Sequence, residues 1–277
     1  MLRADGAPAV MGILNATPDS FSGDGIANDE AAMVARARAH IAEGADLLDV
    51  GGESSRPGSA PVSAEEELRR VTPIIRWLGA NANVPFSIDT VKPAVAEAAL
   101  RAGARIVNDV SGLADPILAN VAAQHGAYLV LMHNGWSLEA RGIAERGAVM
   151  DRVVRELERL AAVALRAGVD HGRLIADPGI GFGKTPEESL ALIAGTAELR
   201  RRLAPLPILV GPSRKRFIAH VFELPVEERS EGTLACVAVA SFEGAAIIRV
   251  HDVASAVRAS RVAWALGARR SAAAASG

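Results

Sequence analysis

Asp89, Asn108 and Asp177 each close a short apolar run, and their side chains have the chemistry to grip one flat ligand. A carboxylate accepts two parallel donors in fork geometry, and a primary amide both donates and accepts. Three such groups therefore suit a planar edge carrying a ring N–H and an exocyclic amine. Any one of them alone is more simply read as a helix cap or turn residue; three at equivalent places point to a site. A second set is cationic: Arg56, Lys215, and Arg249 with His251. Arg supplies a planar fork of donors, Lys a compact charge, and His a donor that gains charge near neutral pH, so together they suit a phosphorylated leaving group. Arg214 and Arg216, on either side of Lys215, read better as a solvated helix face.

These residues belong to a repeating frame. Eight apolar runs end in polar or charged residues: Asn15, Asp49, Asp89, Asn108, His133, Asp177, Ser213 with Lys215, and Arg249 with His251. Four of the runs are opened by a Gly-Ala pair, at Gly44, Gly103, Gly126 and Gly244, which reads as a helix stop followed by a buried strand. Helix starts are marked by Ser63 with Glu66 and Thr185 with Glu188, by Pro186 at a first helical position, and by Asp115-Pro116. Val153, Leu157, Leu160 and Ala164 recur at helical spacing. Strand, reactive group and helix, repeated eight times, predict an α/β fold of the (β/α)8 TIM-barrel class, whose chemistry lies at the C-terminal ends of the strands. A doubly wound open sheet shares the alternation, but the first run exits into NATPDSFSGDG, which lacks the dinucleotide-binding spacing G-x-G-x-x-G. GFGKT is not a phosphate-binding Walker loop either, because Pro178 stands where the first Gly is required.

At 277 residues the chain is close to the roughly 250 of one barrel. The expectation is a single domain over residues 1–267, with 268–277, ARRSAAAASG, as a frayed tail. Thirty basic against 32 acidic residues leave a formal charge of −2, which gives no general field for nucleic acid or an anionic membrane. No apolar run approaches the roughly 18 residues of a membrane span. The N-terminal MLRADGAPAV lacks the features of a secretory signal and Cys236 is the single cysteine, so a cytoplasmic setting is expected.

The segments MGILNATPDSFS, DVGGESSRPGS, SIDT, IVNDVSG, LMH, DPGIGFGKT, LVGPSRKRF and IIRVHDV, in this order, resemble dihydropteroate synthases, enzymes of the folate pathway, over nearly the whole chain. The resemblance implies condensation of 6-hydroxymethyl-7,8-dihydropterin diphosphate with 4-aminobenzoate, giving 7,8-dihydropteroate and diphosphate with magnesium (Mg2+) assisting. It also implies roles: Asp89, Asn108, Met132, Asp177, Phe182 and Lys215 around the pterin, and Asn15, Ser55, Arg56, Arg249 and His251 around the diphosphate, Asn15 also touching magnesium. Arg56, Pro57, Phe182, Ser213 and Lys215 fall on the aminobenzoate side. Asp89, Asp177, Lys215 and Arg249 would carry the catalysis. The loops Thr17–Asn28 and Ser54–Val62 would close over the substrates, and a homodimer would form through an apolar helix at GTLACVAVASFEG, residues 232–244.

The sequence departs from the family pattern at Ser55, where Thr is usual, in SGDG, at Pro212, and from Asn134 to Gly147. A relative with a different amine acceptor, and a pterin-binding domain of a methyl-transferring enzyme, are the alternative readings; the SRK segment, Ser213 to Lys215, argues against the second. An aldolase forming a Schiff base on Lys215 is a third.

Overall fold

The computed structural model describes residues 3–17, 30–54 and 59–275. In chain order the elements are β1 (Ala9–Asn15), α1 (Glu30–Ala42), β2 (Leu47–Gly51), α2 (Ala64–Asn81), β3 (Phe86–Asp89), α3 (Pro93–Arg101), β4 (Ile106–Asp109), α4 (Ile117–Gln124), β5 (Tyr128–Met132) and α5 (Gly135–Ala140). They continue with α6 (Val149–Arg166), β6 (Leu174–Asp177), α7 (Pro186–Ala194), α8 (Thr196–Arg202), β7 (Leu209–Val210), α9 (Arg216–Phe222), α10 (Ser230–Phe242), β8 (Ile247–Val250) and α11 (Val253–Ala275).

The eight strands are parallel and lie in the order β6-β5-β4-β3-β2-β1-β8-β7. A parallel bridge between Ala176 and Ile208 joins the two ends, so the sheet closes on itself as the expected barrel. The four Gly-Ala glycines sit where predicted, with φ of 96° at Gly44, 108° at Gly103, 58° at Gly126 and 90° at Gly244, a region that costs glycine little.

Alternation along the strands sorts the apolar residues into two layers. Ala9, Met11, Leu47, Ile106, Val130, Ile175, Leu209 and Ile247 fill the barrel interior. Their neighbours in sequence, among them Val10, Leu48, Val107, Leu129, Leu174 and Ile248, point outward and pack against the helices in a second, larger core. On α6 the buried face includes Val153, Leu157, Leu160 and Ala164, as their spacing predicts.

Details at helix ends differ from expectation in instructive ways. Thr185 and Glu188 form a reciprocal capping box at α7. Ser63 caps α2 by accepting from Glu66 N, but the Glu66 carboxylate turns outward to Arg69 and Arg70 instead of returning to the cap. Pro116 is the cap of α4 rather than its first residue, with Asp115 Oδ1 accepting from Ile117 N at 2.9 Å. α11 runs through Ala275, into the segment read from sequence as a frayed tail; alanine has the highest helix propensity and readily continues a helix already begun.

Candidate active site

Strand alternation that plugs the barrel with aliphatic side chains also builds the tier above the plug. Two residues beyond Leu47, Ile106, Ile175 and Ile247, on the same inward side, come Asp49, Asn108, Asp177 and Arg249. Register brings Asp89 beside Asn108, Asp49 beside Ser87, and Met132 beside Asp177. A ring of polar groups therefore stands on an apolar floor at the C-terminal mouth, where barrels hold their chemistry.

Arg249 is the hub. Its Nε donates to Asp49 Oδ2 at 2.6 Å and its Nη2 to Asp89 Oδ2 at 2.6 Å. Asp49 is fully buried and also accepts from Asn108 Nδ2 at 3.0 Å and from Ser87 Oγ at 2.5 Å. Burial pushes the Asp89 carboxyl above the ordinary carboxylate range, with the Arg249 charge opposing that rise. The acidic and cationic sets named from sequence therefore interleave in the fold; Arg249 stands among the carboxylates.

Asp177 lies apart from this cluster but feels its charges. Its Oδ1 accepts from Gly179 N at 2.7 Å, while Oδ2 takes no hydrogen bond among the described residues. Burial raises its pKa, against the pull of Lys215 and then Arg249. Gly179 has a φ of 66°, and a Cβ there would lie 1.9 Å from the His133 carbonyl oxygen; only glycine lets the loop fold back under Asp177. Lys215 Nζ donates to Ile180 O at 2.6 Å and stands 4.6 Å from the centroid of the Phe182 ring. Burial is the largest influence on this lysine and brings it down to about 8.

Ser213 and His251 meet at the ends of the seventh and eighth strands, with Oγ and Nδ1 2.9 Å apart. Asn15, half-buried, ends β1. Met132 is fully buried at the edge of the floor. Arg214 and Arg216 are exposed, as expected for a solvated face. Ser55, Arg56 and Pro57 lie outside the described residues, as do Asp24 and most of the loop Thr17–Asn28.

Several participants were not assigned roles from sequence. Asp49 ends a run of the same form as the others, so the signal was present, yet nothing marked it as the partner of Arg249. Lys184 sits in GFGKT, where sequence spacing speaks only to a phosphate loop. Its Nζ lies 2.9 Å from His133 Nδ1 and donates to the carbonyls of His133 at 3.2 Å and Phe182 at 3.1 Å. Burial lowers Lys184 to about 7. Cys236, by contrast, is buried and pushed up to about 11 by its surroundings, which keeps the thiol protonated and unreactive.

Residues 11–251 match the family model described as pterin binding enzyme. A dihydropteroate synthase of Bacillus subtilis is 42% identical over 254 residues, covering 91% of this chain and 86% of that one. A solved Xanthomonas albilineans dihydropteroate synthase with 4-aminobenzoic acid superposes with a TM-score of 0.87 at 42% identity, covering 94% of this chain and 93% of the other. The same organism's enzyme in complex with 7,8-dihydropteroate gives a TM-score of 0.83 at 40% identity, with 94% of each chain covered.

Proposed function

The chain belongs to the pterin-binding enzyme family, and from that premise we propose that it acts as a dihydropteroate synthase. It is a transferase that condenses 6-hydroxymethyl-7,8-dihydropterin diphosphate with 4-aminobenzoate and releases diphosphate. The observation that carries this reading is the inward tier itself: Asp49, Asp89, Asn108, Asp177, Lys215 and Arg249 converge on one mouth from six strand ends.

In this reading Asp177 Oδ2 and Asn108 take the donor-rich edge of the pterin, and Lys215 donates to a ring acceptor. Met132 supplies an apolar surface beside Asp177. Loss of diphosphate leaves a cationic methylene conjugated with the electron-rich ring. Asp89 and Asp177 stabilise that charge, and Arg249 with His251 stabilises the departing oxyanion, a contribution worth roughly 3–4 kcal/mol for one well-placed donor. Phe182, Lys215 and Ser213 face the acceptor. The arylamine attacks unprotonated and loses its proton afterwards, so the protein supplies no nucleophile.

Magnesium belongs to the same proposal. Asn15 offers one amide oxygen, and among the described residues no three His, Cys, Asp or Glu side chains form a metal cage. Such a donor set fits an ion that arrives on the diphosphate and keeps most of its waters, with Asn15 as its protein ligand. Bound there, the ion would add positive charge to the leaving oxygens.

A homodimer through α10 and α11 is supported by Val239, Val262 and Leu266, which are 42%, 64% and 59% exposed on those neighbouring helices. No helix among the described residues is long and apolar enough to cross a membrane. A cytoplasmic setting remains part of the proposal, supported by the single buried thiol.

The test mixes purified protein, magnesium and the dihydropterin diphosphate, and follows diphosphate and dihydropteroate with and without 4-aminobenzoate. Product that depends on the amine is expected; diphosphate release with no joined product would reject the reading.

A further inference from the structure

We propose that Trp136 and Lys184 are positioning residues for the acceptor amine, acting through Phe182. This rests on the reading above, in which Phe182 faces the arylamine.

Phe182 is held at both its backbone and its ring. Its carbonyl oxygen accepts from Gly135 N at 3.2 Å and from Lys184 Nζ at 3.1 Å. Its ring has Lys215 Nζ 4.6 Å from the centroid and the Trp136 ring 5.6 Å away, tilted by 59°. The loop after β5 and the loop after β6 are thereby joined at one residue.

The joint is built for close approach. A Cβ on Gly135 would stand 2.8 Å from Gly183 O, and one on Gly183 would stand 2.6 Å from Trp136 N, so two glycines allow the backbones to touch. Lys184 ties the same loops a second time, through the carbonyls of His133 and Phe182. Lys184 Nζ also lies 2.9 Å from His133 Nδ1, and His133 Nε2 lies 2.8 Å from Glu145 Oε1, so the tie extends to Glu145.

Trp136 stands apart from the core it could have joined. It is 38% exposed on a helix of six residues, and its ring partner is Phe182. It also lies in the segment Asn134–Gly147 that departs from the family pattern. Asp89, Asn108, Met132 and Asp177 of the pterin site, in contrast, are fixed on strands, and only Lys215 touches the joint, so loosening it disturbs the acceptor far more than the heterocycle.

Steady-state kinetics on W136A, W136F and K184M, with direct binding of the pterin diphosphate, tests this. W136A and K184M are expected to raise KM for 4-aminobenzoate about threefold to tenfold, the scale of one aromatic contact, while pterin affinity and kcat stay within about twofold. W136F, which keeps an aromatic ring, recovers most of the loss, and retained pterin affinity shows that the variants fold. An unchanged KM for the amine in an active parent overturns the inference alone, as does a parallel loss of pterin affinity. A parent that never joins the amine to the pterin overturns the functional reading and this inference with it.

Discussion

A guanidinium that neutralises two buried carboxylates ties stability to chemistry at a single residue. Arg249 holds Asp49 and Asp89 together, and its removal leaves two desolvated carboxyl groups side by side without their cation. R249A is therefore expected to lose on the order of 3–5 kcal/mol of folding stability, measured by urea unfolding, as well as its handling of diphosphate. R249K keeps the charge but not the fork, and should fall between. Lys215 sets a pH limit. With its pKa lowered to about 8 by burial, the ammonium that faces the pterin is present below that pH and lost above it. Accordingly kcat/KM for the pterin diphosphate should fall as pH rises through about 8, and K215R, which stays protonated, should flatten that limb. A profile that declines equally in K215R would assign the limb to another group.

At the scale of elements, the placing of the site follows from where strands stop and helices start. Thr185 and Glu188 cap α7 at the far end of the loop that follows Asp177 and carries Phe182 and Lys184, and Glu188 is further held by Arg152 of α6 at 2.7 Å. T185A should cost about 1 kcal/mol, read from thermal unfolding, with pterin affinity nearly unchanged because Asp177 stays on β6. Most of this level was legible in the chain. A Gly-Ala pair followed by four or five aliphatic residues has little other use than a buried parallel strand, so the runs and their polar ends could be located without coordinates. Pairings were not legible. Asp49 and Arg249 are far apart in sequence, and only closure of the barrel, which puts β8 next to β1 and β1 next to β2, brings them to 2.6 Å. The same is true of Lys184, whose partners lie on a loop that no periodicity describes.

For the molecule as a whole, function is bought with stability at the mouth of the barrel. Asp177 has its pKa raised by burial above the ordinary 3.8, so the folded protein holds its proton more tightly than the unfolded chain does. Stability from this group is fullest below that ordinary value and is lost as pH rises through the raised one. D177N, neutral throughout and still able to accept from Gly179 N, should melt at a higher temperature than the parent at pH 7, with the gap closing towards pH 4. The same variant should bind the pterin diphosphate weakly. A lower melting temperature at pH 7 would show that the carboxylate's attraction to Lys215 outweighs its desolvation.

One bridge, from Ala176 to Ile208, and a two-residue β7 complete the hoop between the sixth and seventh strands. Asp177 and Lys215 stand on opposite banks of that seam. A guest clasped by both acts as a rivet through the thinnest part of the wall, and whatever firmness it lends there is drawn from its own grip. Occupancy thus reinforces a closure that the barrel already has.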